Sequence, residues 1–290
     1  MGELKCLWEA GAELGEGVRY DPDEDAVWWV DILGQKIFRL DLQTGDRRTW
    51  ETPETVGCTI QRENGDVLAL LRHTIARLDM QSGSFDTVVA FPQEPAANRF
   101  NDGAVSPDGR LWVCSMDFDF QEPTGMLYHL GRDLQPVVAD EGYTVANGPA
   151  FSPDGSKLYV NETMKGEIFV CDCDPSTGAL SGKKLFAKLE EGEGLPDGIC
   201  VDADGGLWVA VVTGGRVRRY LPNGNIDMEI EVPSPTVTSV GFGGRANRTL
   251  FITTGTILMD EETLARHPLS GSLFAIEVPH EGLEMPAFSG

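Results

Sequence analysis

The stretches SPDGRLWVCSM (Ser106–Met116), SPDGSKLYVNET (Ser152–Thr163) and DADGGLWVAVV (Asp202–Val212) repeat one pattern. A turn rich in Asp and Gly leads at once into a short apolar strand that carries an aromatic residue. Three further copies are DPDEDAVWWVDI (Asp21–Ile32), ENGDVLALL (Glu63–Leu71) and GGRANRTLFITT (Gly243–Thr254). The second apolar position of each is Trp28, Leu68, Trp112, Tyr159, Trp208 or Phe251, at intervals of 40, 44, 47, 49 and 43 residues. Another strand follows every copy, commonly opened by glycine: GQKIFRLD, HTIARLD, GMLYHL, GEIFVCD, GRVRRY and GSLFAI. Asp-Gly, Asn-Gly and Pro-Asp-Gly are hairpin signals, because glycine reaches positive φ without steric cost.

A unit of this length, repeated with almost no helical periodicity, fits a four-stranded propeller blade. Six copies predict an all-β fold, a six-bladed β-propeller that reads as a single domain over residues 1–290. A β-sandwich, or two separate β domains, gives no such regular spacing along the whole chain. The N-terminal LKCLWEAG (Leu4–Gly11) is expected to pair with SLFAIEV (Ser272–Val278) of the last blade, closing the ring and covering a bare sheet edge. The insertion ILMDEETLARHPL (Ile257–Leu269) is the best helix candidate.

Charge narrows the choice of partner. Lys plus Arg number 23 and Asp plus Glu 46, so the formal charge is 23 − 46 = −23. Nucleic acid and anionic membrane surfaces would repel such a chain. No apolar run approaches the ~20 residues that span a bilayer. MGELKCLWEAG has no signal-peptide core, so a cytoplasmic location is expected. A closed ring has no free edge to pair, which favours a monomer. The six cysteines are scattered and read as structural free thiols, with Cys171 and Cys173 on one face of a strand.

The innermost strands of a propeller line a central channel, so equivalent positions face a common space. Eleven or twelve residues before each anchor stand Glu16, Val56, Asn101, Asn147, Asp197 and Ser239, each with glycine next or next but one. Five polar groups there are costly to bury unless something satisfies them. Glu16, Asn147 and Asp197 offer two carboxylates and an amide oxygen, a donor set suited to Ca²⁺, Mg²⁺ or Mn²⁺. A hydrogen-bonded polar plug is the alternative. The four histidines show no metal-ligand spacing, and neither a P-loop nor a GxGxxG opening a helix is present.

Four segments in order, LGEG (Leu14–Gly17), NRFNDG (Asn98–Gly103), ANGPAFSPDG (Ala146–Gly155) and LPDGICVDADGGLWVA (Leu195–Ala210), resemble the senescence marker protein 30, gluconolactonase and luciferin-regenerating enzyme family. That resemblance implies a six-bladed propeller holding one divalent metal ion, Ca²⁺ first, with Zn²⁺, Mg²⁺, Mn²⁺ and Fe²⁺ as alternatives. It makes Glu16, Asn147 and Asp197 the metal ligands and Asp197 also the general base. Arg99 and Asn101 become contacts to substrate hydroxyls, and Asp119, where some relatives carry glutamate, a further one. The implied reaction is hydrolysis of a small sugar lactone, with the metal polarising the carbonyl and Asp197 assisting attack by water, or serving as a ligand alone. Arg99 could also clamp a carboxylate on the substrate. The alternatives are another metal-dependent esterase or phosphotriesterase on the same scaffold, and a Ca²⁺-binding propeller without catalysis.

Overall fold

A computed structural model describes residues 1–290. Six four-stranded antiparallel sheets succeed one another as blades. After the opening strand β1 (Lys5–Trp8), the first blade is β2 (Gly15–Asp21), β3 (Ala26–Asp31), β4 (Lys36–Asp41) and β5 (Arg47–Glu51). The second is β6 (Val56–Gln61), β7 (Val67–Leu71), β8 (Thr74–Leu78) and β9 (Phe85–Ala90). The third is β10 (Asn98–Val105), β11 (Leu111–Asp117), β12 (Gly125–Leu130) and β13 (Val137–Tyr143). The fourth is β14 (Ala146–Phe151), β15 (Lys157–Glu162), β16 (Glu167–Cys173) and β17 (Leu180–Lys188). The fifth is β18 (Leu195–Val201), β19 (Leu207–Val212), β20 (Arg216–Tyr220) and β21 (Ile226–Glu231). The sixth has β22 (Val237–Gly243), β23 (Thr249–Thr254) and β24 (Leu273–Glu277), with β1 as its fourth strand.

The expected closure is therefore present, and β1 runs antiparallel to β24 with Lys5 opposite Ala275 and Cys6 opposite Phe274. The expected helix is α1 (Glu261–Arg266), whose first turn is capped by Asp260 accepting from the Thr263 N–H. All six cysteines are unbridged. No helix is long and apolar enough to cross a membrane.

Six apolar clusters form the core, one at each contact between neighbouring blades, and each repeat anchor lies in the cluster shared with the next blade. Trp28 packs with Val56, Val67 and Ala69 of the second blade, and Leu68 with Phe100, Leu111 and Val113 of the third. Trp112 meets Phe151 and Val160, Tyr159 meets Ile199 and Val209, and Trp208 meets Phe242 and Ile252. Phe251 closes the circle against Val27 and Trp29. Trp28 and Trp29 serve opposite interfaces because successive strand residues point to opposite faces. Truncating a fully buried tryptophan of this kind costs roughly 3–5 kcal/mol.

Each innermost strand also breaks its ladder at the same place. Register shifts fall between Glu16 and Arg19, Val56 and Thr59, Phe100 and Asp102, Asn147 and Ala150, Pro196 and Ile199, and Val237 and Ser239. Such bulges re-aim side chains locally. The adjoining glycines let neighbouring inner strands touch. A Cβ on Gly57 would lie 2.7 Å from the Asn101 carbonyl oxygen, and one on Gly198 2.8 Å from the Ser239 Cα. These glycines therefore serve close backbone approach.

The C-terminal segment crosses the end of the channel where the inner strands finish. Gly282 donates to Asn247 O of the sixth blade, and the Phe288 N–H donates to Gln61 O of the second. The Phe288 ring is buried among Ile60, Val105 and Leu130. Between these anchors, Leu283, Met285 and Pro286 help line a cavity of about 90 Å³ beneath Gly17, Arg19 and Asp102.

Gly57→Ala is expected to lower stability by about 1–3 kcal/mol, from the crowding against Asn101. Gly131→Ala, whose Cβ would meet nothing closer than 3.7 Å, should change it by less than about 0.5 kcal/mol. Urea midpoints of the two variants check this; equal losses would remove the close-approach argument.

Candidate active site in the channel

The bulges bring together, from separate blades, four side chains that the repeat register singles out and a fifth, Arg99, that the resemblance adds. Glu16 of β2, Arg99 and Asn101 of β10, Asn147 of β14 and Asp197 of β18 are all at least nine-tenths buried. Asn147 Nδ2 donates to an Asp197 carboxylate oxygen and to Thr163 Oγ1 at 3.2 Å. The Thr163 hydroxyl donates to Pro196 O at 2.8 Å, and Asn161 Nδ2 to Asp197 O at 2.5 Å. Asp197 is thus oriented from the fourth blade through both its side chain and its backbone. Arg99 Nη1 donates to Asn101 Oδ1 at 2.7 Å, and Asn101 Nδ2 to Ala146 O at 3.0 Å.

Burial dominates the electrostatics of this group. Burial, followed by the charge of Asp197, holds the Glu16 carboxyl well above the usual range. Burial, then Asp102, likewise raises Asp197. Arg99 is pulled down to about 10 by burial, although Glu16 and Asp197 act against the shift. It therefore remains a cation at neutral pH. Both acids hold their protons more tightly in the buried channel, and a cation beside them would favour the ionised forms.

Asn147 Oδ1 is buried and has no hydrogen-bond donor, and neither has Asn161 Oδ1. A polar oxygen in that state incurs a desolvation penalty of about 1–3 kcal/mol. Nowhere do three His, Cys, Asp or Glu side chains gather as a metal cluster. The channel set is instead two carboxylates and an amide oxygen, which fits a hard divalent cation. That chemistry and the orphaned Asn147 oxygen agree.

Asp119 stands apart from the other expected residues. It lies in the exposed turn after β11, outside the buried group, and its carbonyl accepts from Gln121 Nε2 at 3.1 Å. Phe118, immediately before it, faces Arg99 with the guanidinium carbon 5.8 Å from the ring centre. Four residues join the site without having been expected. Asn161 and Thr163 brace Asp197, and their signal is the polar NET run ending the fourth repeat copy. Asp102 and Arg19 lie deeper, with Arg19 Nη2 3.9 Å from Asp102 Oδ1. Burial raises Asp102 to about 6 despite Arg19.

Residues 14–256 match the SMP-30/gluconolactonase/LRE-like region. The chain is 34% identical to a 6-deoxy-6-sulfogluconolactonase of Pseudomonas putida, with 99% of both chains covered. It is also 34% identical to an L-arabinolactonase of Azospirillum brasilense, covering 100% of this chain and 96% of the other. The crystal structure of a calcium-binding protein, regucalcin, from Agrobacterium tumefaciens superposes with a TM-score of 0.95 at 25% identity, over 100% of this chain and 98% of that one. On sequence and architecture together, the chain belongs to the SMP-30/gluconolactonase/LRE-like family.

Proposed function

We propose that the chain is a lactonase that opens a small sugar lactone to its aldonic acid, using one divalent cation held by Glu16, Asn147 and Asp197. The observation that carries this reading is the donorless Asn147 Oδ1 beside two buried carboxyls. The named activities of the relatives, on a sulfogluconolactone and on L-arabinolactone, support a polyhydroxylated cyclic ester as substrate. Hard oxygen donors and the calcium-binding relative favour Ca²⁺; Zn²⁺, Mg²⁺, Mn²⁺ and Fe²⁺ suit the same donors.

When bound, the cation would supply Lewis-acid polarisation of the lactone carbonyl and offset the two negative charges. The chain's own groups do the rest. Asp197 accepts a proton from the water that attacks the acyl carbon; Asn147 holds that carboxylate, and Asn161 and Thr163 hold the backbone carbonyls of Asp197 and Pro196. As the ring C–O bond breaks, Asp197 returns that proton to the ring oxygen, which departs as a hydroxyl. Arg99 and Asn101 position the ring hydroxyls through nitrogens and lone pairs not spent on each other. Asp119 acts at the rim on the outer hydroxyls.

Chelation followed by addition of single ions tests the metal. The stripped protein should release no acid from a panel of aldonolactones, and at least one ion should restore turnover. That ion, at about a hundredfold above its Kd, should raise Tm by roughly 5 °C or more. Full activity after chelation would sink the proposal. A thermal shift without turnover would move it to the non-catalytic Ca²⁺-binding reading.

Asp197→Ala should reduce kcat by about 10²–10⁴-fold and weaken metal binding. Asp197→Asn should lose the rate while keeping more of the metal affinity, as read by calorimetry. An Asp197→Ala enzyme with wild-type kcat would dismiss the assignment of the base.

A further inference from the structure

We propose that the channel mouth carries a subsite for an oxyanion substituent on the lactone, a sulfonate, phosphate or carboxylate, built from Arg72 and Arg99 against Phe118. The inference rests on the lactone reading of the channel and extends it to Arg72, a residue with no part in the chemistry above.

Arg72 follows β7 at the end of the blade from which the channel residues project, and its carbonyl accepts from the Phe100 N–H of β10 at 2.9 Å. Its Nε donates to Asn98 O at 3.2 Å and its Nη2 to Ala96 O at 2.9 Å. Those two bonds fix the guanidinium plane and leave Nη1 without a bond to the protein. The guanidinium carbon lies 5.5 Å from the centre of the Phe118 ring, and that of Arg99 lies 5.8 Å from the same centre. One aromatic ring thus gathers two cations, a favourable contact for each.

Neither cation has an anion of its own. Arg218 and Arg219, buried as deeply as Arg99, each meet two carboxylates: Glu193 and Glu229 for the first, Asp202 and Asp227 for the second. Arg99 spends Nη1 on Phe100 O and Asn101 Oδ1, which are neutral acceptors. Arg72 has only carbonyl partners. The other arginines without an ion pair, Arg47, Arg48, Arg245 and Arg266, are exposed, whereas Arg72 is half-buried, Arg99 is buried, and the two share one ring. The carboxylates that act on Arg99 from a distance are Glu16 and Asp197, the two proposed above to hold the cation. Once that cation neutralises them, the buried Arg99 needs another counter-charge. An oxyanion arriving on the substrate meets the need, and the planar guanidinium fork suits it better than an ammonium would. Asp119 comes next after Phe118, yet it is exposed and forms an ion pair with neither arginine.

The test compares glucono-δ-lactone with its 6-phosphate on the metal-loaded protein at fixed ionic strength. In parallel, calorimetry compares binding of gluconate and 6-phosphogluconate. The wild type should prefer the phosphorylated lactone by about tenfold or more in kcat/KM, as loss of a charge-assisted hydrogen bond implies. Arg72→Gln should shrink that ratio by about tenfold, and Arg72→Lys should keep part of it. A merely structural role for Arg72 would change both lactones alike and leave the ratio in place, which overturns the proposal. Equal turnover of the two lactones by the wild type also overturns it, while the lactonase reading stands. If neither lactone is opened but 6-phosphogluconate outbinds gluconate through Arg72, the anion subsite stands and the lactonase reading falls.

Discussion

Two carboxylates sharing one buried space set the terms for the rest of the molecule. Glu16 and Asp197 come from the first and fifth blades, so only the closed ring brings them together. Closure by β1 fixes the distance between blades far apart in sequence. The six interfacial clusters hold that ring rigid, and the inner-strand bulges turn the polar side chains towards the axis. Stability arises between the sheets, and the buried polar groups are concentrated where their innermost strands converge.

Much of this can be read from residues alone, because symmetry turns sequence offset into position. Trp28, Leu68, Trp112, Tyr159, Trp208 and Phe251 occupy equivalent inter-blade places since each follows the same turn by the same interval. The same arithmetic put Glu16, Asn101, Asn147 and Asp197 on inner strands, and the structure gathers them at one end of the channel. The Trp28–Trp29 pair shows the finer principle, strand alternation assigning adjacent residues to different interfaces.

What stayed hidden depends on departures from regular strands. Asn101 and Asp102 are neighbours, and simple alternation would turn one of them away from the channel; the bulge after Phe100 buries both. Asn161 lies on a second strand and Thr163 in the turn after it, where the inner-strand offset gives no guidance. The inner-strand glycines look like turn formers until the neighbouring backbones are seen in contact. Asp119 follows a buried strand end, yet the chain has already turned outwards, as its exposure records. Arg72 is noticeable only beside Arg218 and Arg219, through the missing carboxylates.

The C-terminal strap has a mechanical corollary. It is anchored by Gly282 to the sixth blade and by buried Phe288 to the second. The last residues therefore act as another clasp on the ring, independent of the pairing of β1 with β24. They link two blades that are otherwise separated by the first.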